Sequence, residues 1–67
     1  MEKIKVTRNL IELSINDQLL TADMKAIVCV QRNEIGSEIS LLGEYVIDVD
    51  QDYEDIVKAL EDYYAEN

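Results

Sequence analysis

The longest regular hydrophobic pattern in the chain lies at its C-terminal end, in residues 50–67. Apolar side chains recur there at spacings of three and four residues, which places them on one face of an α-helix. The opposite face is charged, so the pattern predicts an amphipathic helix that packs on another layer of the protein. The predicted apolar stripe consists of Tyr53, Ile56, Val57, Leu60, Tyr63 and Tyr64.

The preceding residues carry shorter patterns that are typical of β-strands. Polar and apolar residues alternate in several short runs, and turn-forming residues such as Asn16, Asp17 and Gly43 separate them. Residues 26–30 are instead continuously apolar, which indicates a strand buried on both faces. The predicted strands are residues 3–7, Leu10–Ile15, 26–30, 38–42 and Tyr45–Val49.

Two details of this assignment concern the middle of the chain. We predict that residues 26–30 form the central strand and that Cys29, within it, is a buried small hydrophobic residue. Residues 19–26 have two interpretations. Either Thr21 caps a short helical turn, or the segment is an extended connection.

Together the elements predict one α+β domain over residues 1–67. It is a small antiparallel β-meander of about five short strands, covered by one C-terminal amphipathic α-helix. A chain of this length buries only about 60% of its unfolded surface, so its stability as a monomer is marginal. A homo-oligomer formed by pairing of exposed strand edges is therefore one expectation.

Charge is distributed unevenly along the sequence. Residues 1–33 contain five bases and four acids, whereas residues 34–67 contain one base and eleven acids. The strongly negative half includes the predicted helix. Its field repels nucleic-acid phosphates and attracts basic protein surfaces, so we expect a protein partner and no direct binding of nucleic acid.

Few residues in the chain can carry out chemistry. There is no histidine, no glycine-rich phosphate loop and no Cys/His cluster, so the sequence predicts neither an enzyme nor a bound cofactor. The acids at positions 48, 50 and 52 resemble the start of a calcium loop, but Tyr53 and Ala59 replace its glycine and glutamate. We therefore predict no metal site, and we expect Asp50 or Asp52 to cap the helix.

The last turns of the predicted helix contain Glu61, Asp62 and Glu66, where the helix dipole favours cations. One interpretation is a solvated acidic face that keeps a small protein soluble. The other is a surface that binds a basic partner, with tyrosines adding apolar contact. The candidate partner-binding residues are Glu54, Asp55, Glu61, Asp62, Tyr63 and Tyr64.

The sequence also bears on location. Cys29 is the only cysteine, which suits a reducing compartment, and no apolar run approaches the roughly 18 to 20 residues of a membrane helix. We expect a soluble, cytoplasmic protein.

The order of these patterns resembles the short FlbD-type family, small proteins associated with bacterial flagella. The likeness covers nearly the whole chain and includes the runs at residues 4–7, 27–30, 39–43, 46–49 and 53–57. It implies a small, non-enzymatic accessory protein and carries over no functional residue.

Three functions are consistent with these observations. The first is a non-catalytic regulator or inhibitor that binds a partner protein through the acidic helix and the neighbouring strand edge. The second is a nucleic-acid mimic, such as a phage-type inhibitor, whose carboxylates occupy a DNA- or RNA-binding groove. The third is a homo-oligomeric, flagellar-type accessory protein.

Overall fold

A computed structural model describes residues 4–66 and has an α+β architecture. The strands form two three-stranded antiparallel sheets, and one helix follows them. Sheet A contains β1 (Val6–Thr7), β2 (Leu10–Ile15) and β3 (Gln18–Asp23). A 3₁₀ turn (Met24–Ala26) leads into sheet B, which contains β4 (Ile27–Arg32), β5 (Ser37–Leu41) and β6 (Tyr45–Val49). Helix α1 spans Tyr53–Glu66.

The predicted fold class is confirmed, but the predicted arrangement of strands is wrong in one respect. About five strands in a single meander were expected, whereas the structure has six strands divided between two sheets. The extra strand is β3, in the segment that sequence patterns left open. Leu20 and Ala22 of β3 pack against the core, but Leu19 is apolar and 73% exposed, which hides the alternation that would reveal a strand.

Tight turns determine the register of sheet A. Asn16 and Asp17 both have positive φ, 50° and 68°, and join β2 to β3 as a two-residue hairpin loop. Positive φ at both positions is typical of a type I′ turn, whose twist matches that of the strands. At the end of β3, the side chain of Asp23 caps the 3₁₀ turn by accepting a hydrogen bond from the backbone N–H of Lys25. Of the two interpretations of residues 19–26, the turn capped by Thr21 is not formed, because Thr21 lies within β3.

The prediction for residues 26–30 is wrong, because β4 is an edge strand and β5 is the central strand of sheet B. A register shift between Ile27 and Cys29 places both Val28 and Cys29 opposite Ser40, as in a β-bulge. Both side chains are exposed, so Cys29 is not the buried residue that was expected. An apolar run alone does not reveal how many neighbours a strand has.

One hydrophobic core joins both sheets and the helix. The apolar stripe of α1 faces this core through Ile56, which is fully buried, and Tyr63, which is 8% exposed. Tyr64 is 54% exposed because, of two adjacent helical residues, only one can point directly inward. The buried members of the core are Ile11, Leu13, Met24, Ile39, Val49, Ile56 and Tyr63.

Replacement of Ile56 by alanine tests the position of the helix. The substitution leaves a cavity between α1 and the sheets, and we expect it to lower the free energy of unfolding by about 2 to 5 kcal/mol. Lys58→Ala, on the exposed face of the same helix, is the control and should change stability by less than about 0.5 kcal/mol. Urea denaturation measures both. Equal, small losses would contradict the packing of α1 on the core.

Candidate functional site

The exposed face of α1 has an acidic C-terminal end. Glu61, Asp62 and Glu66 are exposed there, and the last turn contains no base. Lys58 is the only base in the helix, and its Nζ lies 3.6 Å from Oδ2 of Asp62. Both side chains of this pair are largely exposed, so its net stabilisation is small. Glu61 and Glu66 add negative charge at the end of the helix where the dipole is also negative.

Glu54, one of the two acidic residues in the first turn of α1, is already paired. Glu54 accepts a hydrogen bond from the guanidinium of Arg32, at the end of β4. The same guanidinium lies over the ring of Tyr53, with Cζ 4.8 Å from the ring centroid. The pKa of Glu54 is below its usual value, mainly because its carboxylate accepts a hydrogen bond from its own backbone N–H, with Arg32 adding to the effect.

The remaining predicted partner-binding residues differ in accessibility. Asp55 is half-buried and Tyr63 belongs to the core. Tyr64 is exposed, and its ring packs edge-on against Tyr63 with 5.0 Å between centroids. Helical spacing places Tyr64 beside Glu61, three residues earlier. The structure thus places Glu61, Asp62 and Tyr64 at the C-terminal end of α1 and leaves Glu54 at the other end.

Asp50 and Gln51 form a polar junction that the sequence patterns did not reveal. Strand β1 pairs with only the first part of β2. Asp50 and Gln51 lie along the part of β2 that β1 does not cover. The backbone N–H of Asp50 donates to the carbonyl of Ser14, and the backbone N–H of Ser14 donates to Oε1 of Gln51, at 2.8 and 3.0 Å. Nε2 of Gln51 also donates to the hydroxyl of Ser14. The junction therefore ties β2 to the end of β6.

The carboxylate of Asp50 holds the β2–β3 turn. It accepts hydrogen bonds from the backbone N–H groups of Asn16 and Asp17, at 3.1 and 2.9 Å, and from the hydroxyl of Ser14, at 2.8 Å. The pKa of Asp50 is lowered, mainly by the bond from Asp17 and next by the bond from Ser14. Asp50 thus caps a hairpin turn and not the helix. Of the two expected helix caps, Asp52 holds the N-cap position, and its backbone carbonyl accepts a hydrogen bond from the backbone N–H of Ile56. Helix α1 begins at Tyr53, directly after Asp52.

Sheet B contacts the same junction. The buried hydroxyl of Ser37 donates to the carbonyl of Gln51 at 2.8 Å. A Cβ at Gly36 would lie only 2.5 Å from the carbonyl oxygen of Asp50, so no other residue fits there without displacing the backbone. Gly36 and Ser37 therefore hold the start of β5 against Asp50 and Gln51, the residues that precede α1.

Other sites for small ligands or ions are limited. Within residues 4–66, no group of three or more side chains of the types that bind metals is close enough to hold an ion. A depression of about 200 Å³ lies on sheet A, but the polar groups of Ser14 and Gln51 in it already bond to one another. Its lining residues are Ile4, Lys5, Glu12, Leu13, Ser14, Asp17, Leu19 and Gln51.

Comparisons of the chain with protein-family models, with curated proteins and with solved structures found no match. Over the part of the chain that the structure describes, no helix has the length and hydrophobicity needed to cross a membrane.

Replacement of Asp50 by asparagine tests the charge at the junction. A carboxylate whose pKa is lower in the folded protein stabilises the fold above the usual aspartate pKa, and this contribution is lost as the pH falls through the folded value. We expect Asp50→Asn to be less stable than the original protein at neutral pH. The difference should shrink as the pH falls below the usual aspartate pKa. Urea midpoints over a pH series measure it.

Glu34→Gln is the matched control, because Glu34 is an exposed acid in the turn before β5. Its stability should follow that of the original protein at every pH. A loss in Asp50→Asn that has the same size at acidic and neutral pH would show that the charge of Asp50 is not what stabilises the turn.

Proposed function

We propose that the protein is a non-catalytic, acidic regulator or inhibitor that binds a basic surface of a partner protein through the C-terminal end of α1. The observation that carries this proposal is the exposed cluster of Glu61, Asp62 and Glu66 at the negative end of the helix dipole, where the last turn contains no base. Each acid there costs the isolated helix about 0.3 to 1 kcal/mol. A cationic partner would be attracted both to these acids and to the negative end of the dipole, which would offset that cost.

Tyr64 gives this surface an apolar component. Its side chain is exposed but packs against Tyr63, so less rotational freedom is lost when a partner covers it. Tyrosine combines a large apolar contact with a hydroxyl group and is enriched among residues that dominate binding energy. The proposed contact surface is therefore Glu61, Asp62, Tyr64 and Glu66, whereas Glu54, paired with Arg32, and half-buried Asp55 lie at the other end of α1.

The neighbouring strand edge belongs to β4, against which α1 lies. Arg32 and Glu54 connect the two elements. In a nucleic-acid mimic the same carboxylates would replace phosphates in the groove of a DNA- or RNA-binding protein, and nucleic acid would compete for the target.

Charge reversal at Glu61 and Asp62 tests the proposal. We expect Glu61→Lys/Asp62→Lys to abolish capture of basic partner proteins from a lysate of the source organism, with little change in the urea midpoint. Capture by the original protein should weaken as salt rises, because electrostatic attraction between exposed charges is screened. Mass spectrometry of captured proteins at low and high salt provides the measurement.

Glu12→Lys/Glu34→Lys is the control, because it changes the net charge by the same amount at two positions that are not in α1. It should retain most of the captured proteins. If the α1 variant captures the same proteins as the original protein, there is no specific contact at the end of the helix. The same conclusion follows if the α1 variant and the control lose the captured proteins equally. Displacement of the captured proteins by added oligonucleotide would identify the protein as a mimic.

A homo-oligomer is a second candidate, favoured by the observation that β3 and β4 are both edge strands with several exposed residues. Apolar residues predominate in the first four positions of β4, and charged residues that would discourage edge pairing are absent from them. If edges pair, sedimentation velocity should show a mass that rises with concentration, and the melting temperature should rise with it. A constant monomeric mass over a hundredfold concentration range would remove this candidate.

A further inference from the structure

The face of sheet B that is turned away from the core has an apolar half. Along β5, Ile39 points to the core, so its neighbour Ser40 lies on the outer face with its cross-strand partners Cys29 and Val46. The β-bulge adds Val28 to this row. Val28 and Val46 are 63% and 58% exposed, on the side of the sheet opposite to α1.

Leu42 extends the same patch. It follows Ser40 by two positions, and its backbone N–H donates to the carbonyl of Ala26 beside β4. Its side chain is also exposed. Burial of apolar surface is the main favourable term in protein association, so a contiguous exposed patch on a regular sheet marks a surface suited to contact. We call Val28, Cys29, Leu42 and Val46 the outer patch.

Carboxylates border the outer patch. Glu38 and Asp48 are direct cross-strand partners on the same outer face. Like charges placed directly opposite one another on neighbouring strands are destabilising. Asp48 receives one hydrogen bond, from Nδ2 of Asn33 at 3.1 Å, but this donor is neutral. A cation above the two carboxylates would remove their repulsion.

The charge decides which partner fits. A second copy of the chain carries a net charge of −9 and would bring another set of carboxylates to the same border. Nucleic acids and anionic membranes are also negatively charged, so these carboxylates repel them. An amphipathic segment with one apolar stripe and flanking lysines or arginines matches both halves of the face. Its apolar stripe would cover the outer patch while its bases lie over Glu38 and Asp48.

We infer that the outer face of sheet B is a docking surface for a basic amphipathic segment of a protein. The apolar side chains of the outer patch supply the contact area, and the pair Glu38 and Asp48 orients the segment. This surface is separate from the acidic end of α1 and does not depend on the function proposed for it. A protein with both surfaces can bind two basic elements, one on each side.

A titration observed by NMR tests this inference. The probe is a synthetic amphipathic helix of leucine and lysine, added to the full-length protein labelled with ¹⁵N. Its comparison peptide has the same composition with the leucines scattered, so that it has the same charge but no apolar stripe. We expect the amphipathic peptide to shift the amide signals of β4, β5 and β6 around the outer patch. The scattered peptide should bind at least about tenfold more weakly.

Two variants locate the contact. Val28→Thr/Val46→Thr keeps residues that suit strands but adds hydroxyl groups to the patch, and we expect its affinity for the amphipathic peptide to fall at least about tenfold. Glu61→Gln/Asp62→Gln, at the end of α1, should leave the shifts of β4, β5 and β6 in place, because these residues lie outside the outer patch. The variant with Val28 and Val46 replaced should still capture the partners of α1. Failure of one proposal can therefore be distinguished from failure of the other.

Three results would overturn the inference. Equal affinity of both peptides, with shifts confined to α1, would show that only the acidic helix attracts them. Unchanged affinity in Val28→Thr/Val46→Thr would exclude the outer patch. A dimer in sedimentation that this variant dissociates would show that the patch is covered by a second copy of the chain.

Discussion

The hydrogen bonds of Asp50 and Gln51 with Ser14 and Ser37 hold the molecule together as one domain. Each three-stranded sheet on its own has a limited hydrophobic face, and a domain of this size has little excess stability. The junction brings the sheets into one core because β2 contacts it through Ser14 and β5 contacts it through Ser37. Gly36 permits this close approach, since any side chain there would overlap the backbone of Asp50.

This junction also determines where the two proposed contact surfaces lie. Helix α1 starts two residues after Gln51, so the position of the junction sets the position of the helix against the core. The apolar stripe then points inward, and the acidic end with Tyr64 remains exposed. On the other side of sheet B, the outer patch faces solvent. The two proposed contact surfaces therefore belong to opposite sides of one small domain, whose two sheets share a hydrophobic core and also meet at the polar junction.

The sequence predicted those elements whose periodicity is undisturbed. The spacing of Ile56, Leu60 and Tyr63 was sufficient to place α1, and the alternation in β2 and β6 was sufficient to identify those strands. It did not reveal β3, where exposed Leu19 breaks the alternation, or the edge position of β4. An edge strand can be as apolar as a central one when its outer face is open, so composition cannot distinguish them.

The candidate site was likewise only partly predictable from the sequence. Helical periodicity predicted that the acids of α1 lie opposite the core. It could not show that Glu54 pairs with Arg32 or that Asp50 caps a distant turn, because those contacts join residues 22 or more positions apart. Long-range polar contacts of this kind leave no periodic signal. The one local indication was the pair Asn16 and Asp17, turn formers whose exposed backbone N–H groups require acceptors.

A double-mutant cycle between Ser14 and Ser37 tests most directly whether the junction joins the two sheets. The side chains of the two serines do not bond to each other, but both bond to the segment formed by Asp50 and Gln51. The free energies of unfolding of Ser14→Ala, Ser37→Ala and the double variant are compared, with Ser40→Ala on the outer face as the control partner for Ser14. If the junction acts as a unit, the double variant loses less stability than the two single losses together, by at least about 0.5 kcal/mol, whereas the control pair is additive. Additive losses for Ser14 and Ser37 within about 0.3 kcal/mol would contradict the account, because each sheet would then hold its own end of the segment independently.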